Sequence, residues 1–185
     1  DLPLLIFLQG GPGGEGPRPL NPSSDGWTSE VIRHFRVIFP DQRGTGRSSC
    51  LDSHILSKSN SPVEQATYLK HFLADSIINV FEHLRLTQFN GSSWASMGQS
   101  YGGFLTLSYL SLFPQALAVC FVTGGIPGIP ADAQQVYTHT FPRMARKTKQ
   151  FYERYPQDVE RVAFVADYLA THQVELPNHD QLSVE

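Results

Sequence analysis

Gly98-x-Ser100-x-Gly102 stands between two apolar runs, within the stretch MGQSYGGF at residues 97–104. A serine hydroxyl is a weak nucleophile until its surroundings activate it. One way to present it is to seat it on a very tight turn from a strand into a helix. Such a turn holds the nucleophile in a strained backbone conformation. The residues two before and two after it must be small, or their side chains would collide with neighbouring backbone. Gly98 and Gly102 meet that demand. The following helix points the positive end of its dipole toward developing negative charge. The competing reading is a glycine-rich turn that only packs a helix onto a strand.

Serine acyl transfer also needs two backbone N–H donors for the oxyanion. One is expected from Tyr101, the residue after the serine. The other is expected from the loop GGPG at residues 10–13, where bare backbone can approach a substrate. Gly11 is the favoured donor and Gly10 the alternative, with Pro12 stiffening the loop. A third stretch, DQRGTGRS at 41–48, reads as structural. Asp41 and Arg43 are expected to pair and brace its turn, and Gly44 and Gly46 to allow tight backbone. It lacks the Gly-Lys-Ser/Thr of a phosphate loop, which argues against nucleotide binding.

These residues must be positioned by an alternating series of elements. PLLIFLQ (3–9) and RVIFP (36–40) read as buried strands, SSWASMG (92–98) as a shorter, more polar one, and LAVCFVTGG (117–125) as a fourth. DGWTSEVIRHF reads as a short helix with Asp25 or Thr28 as a cap candidate. A long helix is predicted from Ser61, with Pro62 in its first position. Its apolar stripe runs through Leu69, Phe72, Leu73, Ser76, Ile77, Val80, Phe81 and Leu84. YGGFLTLSYLSLF reads as a helix stopped before Pro114. Strands alternating with helices imply an α/β architecture: a mostly parallel sheet with helices on both faces. Sites in such sheets lie at the carboxyl ends of strands, so the three glycine-rich stretches are expected to converge there. From residue 131 the pattern turns helical. Val162, Val165, Ala166 and Leu169 repeat at helical spacing, and Arg143, Arg146, Lys147 and Lys149 read as a solvated helix face.

The 185 residues, 41% hydrophobic and 17% charged with a formal charge of −3, describe a globular chain without a basic footprint for nucleic acid. No apolar run approaches the ~20 residues of a membrane span. A cytoplasmic location is expected. Cys50 and Cys120 form neither a disulfide framework nor a metal-ligand pattern, and Cys120 is expected to be a buried thiol. No metal or organic cofactor is implied. Asn90-Gly91-Ser92 fits a glycosylation acceptor, a weak three-residue pattern.

FLQGGPG, DQRGTGRS and GQSYGGF, in this order and spacing, resemble the prolyl iminopeptidase family of α/β-hydrolases over residues 4 to about 125. The TGGIP that leaves the fourth strand fits as well. Many relatives have His where this chain has Gln9, which resembles the larger-subunit branch and leaves the oxyanion glycines in place. The resemblance implies a serine exopeptidase that releases N-terminal proline from peptides. It implies a partial hydrolase core over 1–125 and the start of a helical cap domain over 126–185. Acidic cap residues would hold the substrate's free amino group; Glu153 and Glu175 are candidates. Other serine α/β-hydrolases (an esterase or a broader aminopeptidase) and a non-catalytic binding protein on the same scaffold are the rival readings.

In this fold the nucleophile is followed in the chain by an Asp or Glu and then by a His, each on a loop after a later strand. Downstream of Ser100 stand Asp132, Asp158, Asp167 and Asp180, with His139, His172 and His179, all in the helical region. His34, His54, His71 and His83 precede the serine and read as helix-surface or loop residues. The chain is therefore expected to carry the nucleophile half of a site, with the triad's Asp and His beyond residue 185.

Overall fold

The apolar pentapeptide LLIFL forms β1 (Leu4–Leu8), with Leu5 through Leu8 buried. It is the centre around which the computed structural model is built. Residues 2–18, 26–49, 51–59, 61–126, 128, 132–177 and 181–184 are described by it; Asp25, Cys50, His179 and Asp180 lie outside them. The chain divides into two compact units, Asp1–Pro127 and Gly128–Glu185.

In the first unit, β2 (Arg36–Ile38), β1, β3 (Trp94–Gln99) and β4 (Leu117–Thr123) form one sheet in the order β2-β1-β3-β4. Every pairing is parallel. The chain moves from β1 outward to β2 and then crosses back to place β3 on the other side of β1. The order thus reverses between β1 and β3, and the carboxyl ends of those neighbours flank a crevice. Helix α1 (Trp27–His34) lies on one face, where Trp27 stacks on Phe7 at 4.7 Å and meets Phe39 at 6.1 Å. On the opposite face α4 (Ala74–Gln88) and α5 (Tyr101–Leu112) bury Ile77, Ile78, Phe81, Leu105 and Tyr109 against Ile6, Leu8 and Trp94.

Several expectations change at this level. A short helix α2 (Ser53–Leu56) precedes the helix predicted from Ser61, which is itself interrupted. Ser61 does cap α3 (Pro62–Leu69), but Lys70–Phe72 tightens to a 3₁₀ turn and Leu73 is extended before α4 restarts the chain. Leu73 and Val80 of the anticipated stripe are exposed; the buried face runs through Ile77, Ile78, Phe81, Glu82 and Arg85 instead. The two charged residues are accommodated because they pair with each other, Arg85 Nη2 to Glu82 Oε1 at 2.7 Å. Tyr109 Oη donates to Glu82 Oε2 at 2.8 Å. Arg85 also donates to the carbonyls of Gly91 and Ser92, closing the turn into β3. The N-cap position of α1 is Gly26, with no side-chain cap bond.

β2 is short and only half-buried, the consequence of its place at a sheet edge. β4 is the other edge, and Cys120 is half-buried rather than buried. Val119 and Phe121 point away from α5 and are more than two-fifths exposed.

The second unit contains α6 (Ala133–Arg154), α7 (Asp158–Thr171) and a two-residue antiparallel pair, β5 (Val174–Glu175) with β6 (Gln181–Leu182). Asp132 caps α6 by accepting from the Gln135 N–H at 2.7 Å. Neither α6 nor α7 has a buried residue. Among the described residues no helix is long and apolar enough to cross a membrane.

Candidate active site

β3 ends at Gln99 and α5 begins at Tyr101, so a single residue makes the turn between them. That residue is Ser100, at φ 54° and ψ −118°. Only Asn90 shares a positive φ among the described non-glycine residues. Such a conformation costs about 1–3 kcal/mol and persists only where its surroundings over-determine it. Here they do. The Ser100 N–H donates to the Thr123 carbonyl at 2.9 Å, and the Ser100 carbonyl accepts from the Gly103 N–H at 2.9 Å. Ser100 itself is solvent-exposed.

Glycines make this closeness possible. A Cβ on Gly98 would lie 2.1 Å from the Gly102 carbonyl oxygen. One on Gly102 would lie 1.8 Å from the Leu8 carbonyl oxygen, and one on Gly103 2.2 Å from that of Gly125. Gly125, which leaves β4, is pressed against Ser100 in the same way: its Cβ would stand 1.8 Å from the Ser100 carbonyl oxygen. The sequence reading did not assign Gly125 a role. The available signal was a third glycine doublet directly after a strand.

The loop that leaves β1 reaches the same point. A Cβ on Gly10 would lie 3.0 Å from Ser100 Cβ and 2.8 Å from the Gln99 carbonyl oxygen. Gly10 therefore touches the serine, and its missing side chain leaves room for it. The Gly10 N–H donates to Gln9 Oε1 at 3.0 Å, while Gln9 Nε2 donates to the Glu15 carbonyl at 2.9 Å. Gln9 thus folds back across the loop and occupies the Gly10 donor. Among the described residues the N–H groups of Gly11 and Tyr101 have no acceptor. Gly11 sits at φ 119°, backbone that a side chain would strain. Tyr101 is half-buried and its phenol is raised by burial first, and by the negative charge of Asp75 second.

DQRGTGRS completes the cluster from the β2 side. Gln42, 2% exposed, donates from Nε2 to the Gln9 carbonyl at 2.7 Å and so braces the loop behind Gly10. Asp41 does not pair with Arg43. It is held by Arg18 and by the N–H groups of Gly16 and Arg47, each at 2.8 Å. Arg43 lies over the Phe72 ring instead, 5.8 Å from its centroid. Gly46 is required because a Cβ there would meet the Asp41 carboxyl carbon at 2.4 Å. Arg18 was missed because 23 residues separate it from its partner.

Burial alone would raise the Asp41 carboxyl. The N–H donors of Arg47 and Gly16 and the Arg18 charge outweigh it and hold it below its ordinary value. The folded state thus prefers the carboxylate, so its contribution is complete above the unfolded pKa and is lost as pH falls through the lower folded one. Asp41→Asn should destabilise the first unit by about 1–3 kcal/mol at neutral pH. Urea melts of the two proteins should converge as pH drops below about 4. A constant difference down to pH 2 would show that the carboxylate is not what matters.

Among the described residues of the first unit no side chain hydrogen-bonds the Ser100 hydroxyl. His34 pairs with Glu30 at 3.0 Å, and His54, His71 and His83 are exposed. In the second unit Asp132 is the α6 cap, Asp158 pairs with Arg161 at 3.2 Å and His172 stacks on Tyr168 at 4.1 Å. Glu153 is exposed and faces Lys149 at 3.8 Å within α6; Glu175 is exposed in β5.

A parallel sheet whose order reverses beside a strained serine elbow defines a class of protein. Residues 3–182 match the family described as the alpha/beta hydrolase fold. The chain belongs to that α/β-hydrolase family. Among curated relatives it is 42% identical, over its whole length, to a proline iminopeptidase of Aeromonas sobria, and covers 43% of that protein. It is 35% identical over 95% of its length to the proline iminopeptidase aneH of Aspergillus aculeatus, covering 40% of it. A proline iminopeptidase of Saccharolobus solfataricus is 26% identical over 164 residues. The resemblance drawn from the three motifs is thereby borne out, and the chain spans less than half the length of these relatives.

Proposed function

We propose that this chain carries the nucleophile and the oxyanion donors of a serine exopeptidase that releases N-terminal proline from peptides. The observation that carries the reading is Ser100, exposed at φ 54° with Gly10 seated against its Cβ. The names of the relatives support the substrate class.

In the reaction, Ser100 Oγ attacks the prolyl carbonyl carbon as a base takes its proton. The oxygen becomes an oxyanion held by the Tyr101 N–H at the N-terminus of α5 and by the Gly11 N–H of the loop after β1. Collapse breaks the peptide bond, the shortened peptide leaves as an amine with that proton, and a prolyl ester remains on Ser100. Water then hydrolyses the ester by the same steps and regenerates the serine. The substrate's ammonium needs an acidic partner, since burial without one is costly. Glu153 is the candidate for that part, and Lys149 would have to yield it to the substrate. The relatives are more than twice as long as this chain. We assign the triad's Asp and His to the length that the chain does not span.

Prolyl-naphthylamide turnover tests this division. The 185-residue chain should be no faster than its Ser100→Ala form. The complete protein should turn over prolyl-naphthylamide by a Ser100-dependent route and alanyl- or leucyl-naphthylamide at least about 100-fold more slowly. Ser100-dependent turnover by the chain alone would sink the proposed division of the triad. Equal rates on the three substrates would sink the proline selectivity.

A further inference from the structure

Beside the 41–49 turn lies a groove of about 500 Å³ that the chemistry above does not use. Arg43, Arg47, Ser48 and Ser49 line one side, and Tyr68 and His71 the other, with the Phe72 ring between them. Arg18, Arg33 and Arg85 of the same unit each have a carboxylate partner. Among the described residues Arg36, Arg43 and Arg47 have none, and of these Arg43 and Arg47 share one groove. The nearest acid in sequence, Asp41, is committed to the Arg18 guanidinium and to the backbone N–H groups of Gly16 and Arg47, and makes no ion pair with either side chain.

Arg43 is placed by its guanidinium and Arg47 by its backbone. Arg43 rests on Phe72, and Phe72 is itself held edge-to-face by Tyr68 at 5.1 Å. An aromatic seat fixes a guanidinium without neutralising it. Arg47 is anchored through its backbone N–H to Asp41, and Ser48 through its hydroxyl to the Asp41 carbonyl at 2.9 Å. The groove therefore presents two uncompensated guanidinium groups and the Ser49 hydroxyl on a braced turn. Guanidinium forks match planar or tetrahedral oxyanions, bonding them with two parallel N–H donors.

We propose that this groove is an oxyanion-binding site, in which Arg43 and Arg47 together take a carboxylate or a phosphate of a small ligand. It does not depend on the hydrolase reading, because no group in it is assigned to catalysis.

The test titrates the complete protein with inorganic phosphate and, separately, with glutarate, at ionic strength held constant by sodium chloride. Binding is read by thermal shift and by amide chemical-shift changes. A saturating response with a dissociation constant of the order of millimolar is expected from at least one anion. The amide changes should centre on residues 43–49 and 68–72. Arg43→Gln and Arg47→Gln should each weaken binding about fivefold or more, while Arg36→Gln, outside the groove, should leave it unchanged. Saturation by phosphate alone identifies a phosphate ligand, and by glutarate alone a carboxylate. No saturation beyond the chloride control, or amide changes centred elsewhere in the unaltered chain, overturns the proposal. So does an Arg43→Gln/Arg47→Gln double variant that binds as well as the parent.

Discussion

Ser100→Ala should lower kcat/KM of the complete protein on prolyl-naphthylamide by about four to six orders of magnitude, the largest effect of any single substitution in the chain. The loss should fall on kcat, because the hydroxyl forms its bond only in the reaction and contributes little to holding the substrate. The fold should not change. Ser100 makes its structural bonds through its N–H and carbonyl, to Thr123 and Gly103, and alanine keeps both. A companion substitution separates the strain from the chemistry. Ser100→Gly removes the same hydroxyl but also the Cβ that makes φ 54° costly. It should therefore be as inactive as Ser100→Ala, yet melt higher by up to about 1 kcal/mol of stability. If Ser100→Ala retained even a hundredth of the parent activity, the serine would not be the nucleophile. If Ser100→Gly melted lower than Ser100→Ala, the turn would not be strained.

The second large effect is structural. Gly102→Ala adds one methyl group, but that group would stand 1.8 Å from the carbonyl oxygen of Leu8 and 2.7 Å from its carbon. The obstacle is backbone at the centre of the sheet, not a side chain that can swing aside. Helix α5 would have to lift from β1, and with it Leu105 and Tyr109 would leave the core. A cost of about 4 kcal/mol or more is expected, enough to abolish cooperative folding of a marginally stable unit. Gly14→Ala serves as the comparison. Its nearest neighbour would be the Gly10 carbonyl oxygen at 3.5 Å, an ordinary contact, and no positive φ opposes it. Urea unfolding should show near-parental stability for Gly14→Ala and no native baseline for Gly102→Ala. A Gly102→Ala protein that unfolds at the parent's midpoint would contradict the packing described for the elbow.

The parts of this arrangement that were legible in the sequence are those where local chemistry leaves few choices. LLIFL is too short for a helix and too apolar for a loop. Gly98 and Gly102 around Ser100 admit a turn that other residues would obstruct. What escaped reading depended on partners distant in sequence. Glu82 and Arg85, three apart on a helix, look like a solvated pair; only Tyr109 from α5 reveals that they are buried together. The apolar stripe through Leu69, Phe72 and Leu73 continues smoothly across a break that Leu73 makes by its extended backbone. Asp41 had Arg43 close at hand and took Arg18 instead, because the turn that Gly46 permits points its carboxylate the other way. Cys120 read as buried because a run of apolar residues says nothing about which strand will be an edge.

The parallel order of the sheet also carries a consequence in time. Leu5 pairs with Ala95 across about 90 residues of intervening chain, and Ala95 pairs in turn with Val119. Closing so long a loop is entropically slow, and nothing local rewards it until the strands meet. The contacts that force Ser100 into its unfavourable backbone angles come from β1, β4 and the glycines beyond them, so they arise only after that closure. Helices α4 and α5 can form early from nearby residues. The reactive turn is among the last features to take shape, and a refolding chain regains its helical signal before it regains a serine poised to react.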